Sequence, residues 1–152
     1  MNPNQGRFGP DISEFARLTL LRADMLKRAV AIKLFSAVIR DSPVGDPDLW
    51  KSKPPAGYVG GRFRANWNCT VGAADTSTSV STDYGAAIPK VIEVCERSDR
   101  NDINWLANSL PYAARLEYEG WSRQAPQGMV RRNTARIKRL ISQQLAQVRN
   151  QT

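Results

Sequence analysis

The chain has 152 residues, 41% hydrophobic and 24% charged, enough for one globular domain with a real core and too short for two. Its longest unbroken apolar run, Ala29–Ile32, is far below the ~18–20 residues of a membrane-spanning helix, and histidine, the commonest general base and metal ligand, is absent. The net charge of +8 is uneven: residues 71–120 hold eight acids against four Lys/Arg, whereas residues 121–152 hold seven Lys/Arg and no acid, an asymmetry that points to a polyanionic partner or an acidic protein surface.

Residues 1–10, rich in Asn, Gln, Gly and Pro, read as a flexible arm without the charged start and apolar core of a signal peptide, so the chain is expected to stay in the cytosol where it is made. Asp11 and Glu14 form a capping-box start. Phe15, Leu18, Leu21, Met25, Ala29, Ile32, Phe35 and Ile39 then recur at spacings of three and four. The pattern predicts an amphipathic helix of about 28 residues ending near Arg40, longer than a small sheet needs and able to reach a neighbouring subunit.

Residues 41–62 carry four prolines and four glycines, a density that forbids a helix or a central strand. They also carry Leu49, Trp50, Tyr58 and Val59. Plain linkers lack such side chains, so the segment reads as an arm that docks on an adjacent copy. Within it, Gly57–Gly61 lacks the Gly-Lys-Ser/Thr ending of a phosphate loop and reads as turn glycines.

Phe63, Ala65, Trp67, Cys69 and Val71 alternate with polar residues, predicting a strand with one buried face; the Ser/Thr-rich run ending near Thr82 reads as its hairpin partner. Ile88–Arg97 reads as a helix with Val91, Ile92 and Cys95 inward. Ile103, Trp105 and Ala107 suggest a third strand, and Pro111–Glu119 a short helix stopped by Gly120. Trp67 and Trp105 are expected in the core. Cys69 and Cys95 are expected to be buried and reduced, since two thiols without histidine cannot complete a zinc site. A final helix over about Met129–Arg149 sets Val130, Ile137, Leu140, Ile141, Leu145 and Val148 against a basic side. The predicted class is α+β: a small antiparallel sheet packed against a long N-terminal helix and a C-terminal helix, with a long Pro/Gly-rich loop, all in one domain over 1–152.

Two stretches taken together resemble a known family. SPVGDPDLWKSKPPAGYVGGRFRANW, residues 42–67, leads from a Pro/Gly loop through Gly-Gly-Arg-x-Arg; PYAARLEYEGWSRQAPQGMVRRN, residues 111–133, carries Pro111-Tyr112-Ala113, Glu119-Gly120 and Ala125-Pro126-Gln127-Gly128. Their order and spacing are similar to those of the tail-component family of tailed bacteriophages, also called tail-completion or neck proteins. Glu119, beside Gly120, matches the family's glutamate; the second acid, Glu117, departs from its pattern. The resemblance implies an α+β structural protein of the virion that forms a cyclic homo-oligomer, six copies by family likeness. Such a ring would stand between the head connector and the tail-tube or tail-terminator proteins and let genomic DNA pass.

On that reading Trp50, Tyr58, Arg62, Arg64, Glu117, Glu119 and Trp121 are candidates for subunit or partner contact. Large aromatics dominate interface energetics, and a head-to-tail ring contact joins dissimilar surfaces, so two readings stand side by side for Arg62 and Arg64: pairing with Glu117 and Glu119 of the next copy, or ordinary edge-strand charge that discourages aggregation. Arg131, Arg132, Arg136, Lys138 and Arg139 are candidates for the DNA channel, touching phosphate without reading sequence. No catalytic residue, cofactor or metal is expected: Glu93/Glu96 and Glu117/Glu119 have no histidine or activated nucleophile beside them. The competing readings are a small basic DNA-binding protein acting through the C-terminal helix, and a nuclease or hydrolase, which would need a carboxylate–metal cluster.

Overall fold

A computed structural model describes residues 8–49 and 53–150, with side chains from residue 11 onward. The chain is α+β: a long helix α1 (Phe8–Asp41), a four-residue helix α2 (Arg62–Ala65), strand β1 (Asn68–Val71), helix α3 (Ala87–Arg97), strand β2 (Asn104–Ala107), and helices α4 (Ala113–Tyr118), α5 (Val130–Thr134) and α6 (Ile137–Asn150). The expected arm over 1–7 lies outside the described residues, and α1 begins three residues earlier than its capping signal suggests.

The C-terminal half of α1 carries the core. Val38 and Ile39 are buried with Phe63, Trp67, Cys69, Val91, Cys95, Leu110 and Met129, and α1 packs on α3, α5 and α6. Its polar side grips the turn after α3: Arg28 Nε donates to the Ser98 carbonyl at 2.6 Å, and the Asp24 carboxylate accepts the Arg100 N–H at 2.6 Å. At 1.5 Å per residue, 34 residues span about 50 Å, and the core occupies only part of that length. The N-terminal half is bare, with Ile12 52% and Phe15 70% exposed, and Leu20 and Leu21 also open to solvent.

The sheet has two strands, β1 antiparallel to β2, in the register Cys69↔Leu106 and Thr70↔Trp105. Three strand expectations are corrected. Phe63–Ala65 is helical: a spacing of four fits one helical turn as well as two steps of a strand, and it sets Phe63 edge-on to Trp67 at 5.8 Å between ring centres. The Ser/Thr run is not β1's hairpin partner. Along it the Ser77, Ser81, Asp83 and Gly85 N–H groups donate to side chains of Asp75, Ser79, Ser81 and Asp83, each two residues back, and these local bonds compete with a ladder. The side-chain amide of Asn68 in β1 holds the run at Ser77 and Asp75, and that of Asn66, just before the strand, holds it at Ser79. Third, β2 turns Leu106 toward the core beside Cys69, leaving Trp105 41% exposed with its indole N–H on the Gly72 carbonyl at 2.9 Å. A one-residue shift of the apolar alternation exchanges the two faces.

Trp67 is buried as expected, its indole N–H donating to Ser42 Oγ at 2.8 Å. Cys69 and Cys95 are free and buried; their thiol–thiol hydrogen bond, followed by burial, pushes Cys69 well above the ordinary thiol range. In α3, Val91 and Cys95 point inward but Ile92 is exposed. The C-terminal helix is two helices. Asn133 Nδ2 and Thr134 Oγ1 bond back to the Met129 and Val130 carbonyls, and the chain turns at Ala135–Arg136 before α6 begins. Val148 is buried on α6, whereas Val130, Ile141 and Leu145 are exposed, so the expected apolar side is only partly covered.

Candidate functional site

Glu117, near the end of α4, is 7% exposed and faces the start of α5. Its carboxylate accepts the backbone N–H groups of Met129 (2.9 Å), Val130 (3.0 Å) and Arg131 (2.8 Å), donors that the first turn of a helix leaves without intrahelical partners. Arg131 approaches the same carboxylate at 3.4 Å and donates to the Glu117 carbonyl. Gly128 makes the approach sterically feasible: at φ 75° it has left-handed backbone, and a Cβ there would stand 2.7 Å from the Glu117 carboxyl carbon. Glu117 is therefore engaged inside its own subunit. Sequence reading, which set Glu117 among the contact candidates, does not reveal this node or its pairing with Arg131. Glu119 caps α4, its N–H on the Arg115 carbonyl, with its side chain in solvent.

The arginines at the loop's end also have work within the subunit. Arg64 Nε donates to the Ser42 carbonyl at 3.0 Å and Nη2 to the Arg40 carbonyl at 2.9 Å, satisfying acceptors at the C-terminus of α1, and its guanidinium lies over Tyr84. Arg62 Nε donates to the Ser79 carbonyl at 3.0 Å. Neither contacts Glu117 or Glu119 within the chain.

The loop between α1 and α2 is fastened at its base. The Gln124 side chain clasps Val44 from both sides, accepting its N–H at 3.0 Å and donating to its carbonyl at 2.8 Å. The Tyr58 ring lies so close to Gly45 that a Cβ there would meet the phenol oxygen at 1.8 Å, and Gly60 abuts the Gly45 backbone. Beyond this base the segment opens: Asp46–Leu49 are exposed, as are Pro55–Gly57 and Val59. Trp50 lies outside the described residues. Gly57 and Gly61 have φ of 72° and 115°, as turn glycines do, and Gly61 lets the Thr82 carbonyl pass close; they lead into the short α2 and not into the expected strand. Trp121 is 58% exposed in its loop, with the Arg115 guanidinium 4.5 Å over its ring, and Tyr118 is exposed under Arg131.

The remaining C-terminal cations separate by direction. Arg132 reaches Asp41 at 3.8 Å, beside the Asn133 amide that donates to the same carboxylate at 2.9 Å. Arg136 and Arg139, one helical turn apart, face α1 across a shallow groove of about 190 Å³ that they line together with Lys33, Leu34, Ala37 and Gln143. No carboxylate lines this groove, and among the described residues no ion pair engages Lys33, Arg136, Arg139 or Lys138. Lys138, about 200° around the helix from Arg136, is exposed and does not line the groove. Sequence patterning does not single out Lys33, because it stands alone within an apolar run of α1 and only packing against α6 gives it cationic neighbours. Among the described residues no group of three or more His, Cys, Asp or Glu could hold a metal, and no helix is long and apolar enough to cross a membrane. No protein-family model matches the chain, and neither does any curated protein or solved structure.

Proposed function

We propose that this protein is a structural ring subunit of a tailed-bacteriophage virion, a tail-completion or neck protein that joins the tail to the head connector around the DNA channel. The observation that carries the reading is the bare N-terminal half of α1. Ile12 and Phe15 stand open on one side of a helix that outruns its own core, with Leu20 and Leu21 open further round it, and such exposure supports a contact with another polypeptide. The loop after α1 supports it. Its base is held by Gln124, Arg64 and Tyr58 while Asp46–Leu49 are presented outward, as in an arm that docks on an adjacent copy.

On this account the partners are further copies of the chain, six in a closed ring, with the head-connector and the tail-tube or tail-terminator proteins above and below. The protein resides in the neck of the virion and assembles in the host cytoplasm. Its work is mechanical, and no chemistry is asked of it. Contact with the next copy then falls to Phe15, Trp50, Trp121 and Glu119, since Glu117, Arg62 and Arg64 have partners at home.

The basic groove favours a second reading, a monomeric DNA-binding protein. Measuring the mass of the purified full chain, alone and after mixing with phage tail tubes, separates the two. Self-association or capture by tubes supports the ring; a monomer that ignores tubes yet binds duplex DNA tightly overturns it.

A further inference from the structure

We infer that the groove between α1 and α6 is a contact site for the phosphate backbone of duplex DNA, with Lys33, Arg136 and Arg139 as the phosphate-contacting side chains. This deepens the ring reading, on which it rests for its biological setting, by naming the surface that meets the genome. It also divides the C-terminal cations. Arg131 pairs with the Glu117 carboxylate and Arg132 with Asp41, so part of their charge is already answered within the subunit.

Three observations carry the inference. The cations come from α1 and, far away in sequence, from α6 and the turn before it, and they converge on one concave strip, a convergence that a merely solvated helix face does not require. No carboxylate lines the strip and no described ion pair neutralises it, so its charge is left for an external anion. Last, the three exposed cations stand over a partly buried floor that includes Leu34, Ala37 and Leu140. Surfaces that meet DNA are much more positively charged than protein–protein interfaces, and this strip holds three cations and no acid. A phosphate backbone therefore fits better than an acidic protein face. Aromatic side chains are absent from the lining, so the groove has no platform for unstacked bases and suits a duplex.

Three phosphate contacts give a weak, sequence-independent interaction, suited to DNA in transit. Each contact contributes about −0.9 to the slope of log K against log salt, so the full chain should bind duplex DNA with a groove contribution of about −2.7. The test measures that slope with a fluorescent 25-base-pair duplex for the wild type and for Lys33→Gln, Arg136→Gln, Arg139→Gln and Arg123→Gln, the last a loop arginine outside the groove. All four side chains are exposed, so thermal midpoints should be retained; the charge-conserving Arg136→Lys and Arg139→Lys guard against a folding artefact and should keep the slope. A fall of about 0.9 for each groove variant, with none for Arg123→Gln, is expected. Equal slopes for groove and control variants overturn the inference, as does a poly-glutamate peptide that binds through the same residues as tightly as the duplex. Mass measurements on the same samples keep the two proposals apart: a ring whose DNA contact ignores the groove variants removes the groove alone, whereas a persistent monomer with groove-dependent binding removes the ring alone.

Discussion

Replacing Glu117 should unfasten α5 from α4, and the size of the effect can be worked from its bonds. The carboxylate accepts three backbone N–H groups, two on Oε2 and one on Oε1, with Met129 N–H buried and those of Val130 and Arg131 partly so. A hydrogen bond to a charged group contributes about 1.5–3 kcal/mol net, and bonds sharing one acceptor group do not add. The Arg131 side chain is half exposed, so its ion pair adds little after solvent screening. Glu117→Ala should therefore cost about 3 kcal/mol. Glu117→Gln, which keeps one acceptor oxygen where the structure uses two, should cost about 1–2 kcal/mol. Urea unfolding followed by tryptophan fluorescence reads both. Gly128→Ala should be destabilising by a similar amount through the same node, because its new Cβ would displace the carboxylate and its φ is left-handed. The double variant Glu117→Ala/Gly128→Ala should then cost clearly less than the sum of the single changes. Additive losses, or a Glu117→Ala chain within 0.5 kcal/mol of wild type on the scale of ordinary surface changes, would refute the reasoning.

Further outcomes are open to simple assays. Gln124→Ala removes both bonds to Val44 and should leave the fold intact, costing about 1 kcal/mol, while limited proteolysis within residues 42–61 becomes several-fold faster; an unchanged cleavage rate would show that the clasp does not hold the loop. Trp67→Phe loses the indole bond to Ser42 and should lower stability by about 1–2 kcal/mol in urea; a neutral result would mean that Ser42 is satisfied without it. Because the bond to Cys95 and then burial raise Cys69, it resists thiolate formation in the fold. The same bond holds Cys95 down, so the opposite shifts of the two thiols offset each other in stability against pH, and burial is what protects the pair. Native protein at pH 8 should accordingly react with a thiol reagent only at its unfolding rate, and rapid labelling would contradict the burial of the pair.

The sequence made the fold class legible, but not every face. Long-range periodicity located α1, and the Val91–Cys95 spacing located α3, because a helix repeats its signal over several turns. Short segments misled. Phe63 and Trp67 satisfy a strand and a helical turn alike, the Ser/Thr run spends its N–H groups locally, and Trp105 carries enough polar character at its indole to stand outward on the Gly72 carbonyl. The candidate site was legible in type and not in geometry. The acid-free C-terminus announced a basic surface, but nothing in one dimension reveals that Glu117 claims the start of α5, that Asp41 attracts Arg132, or that Lys33 joins Arg136 and Arg139. These are contacts across dozens of residues, set by how α1 meets α5 and α6.

If the exposed half of α1 is a seat for another polypeptide, the mass of the native particle will show it. Native mass spectrometry of the full chain, free and with tail tubes, should give one closed multiple of the 16.9 kDa chain in at least one condition, and Phe15→Glu should abolish that species while the subunit stays folded. A 16.9 kDa monomer in both conditions, or a ring indifferent to Phe15→Glu, would contradict the account.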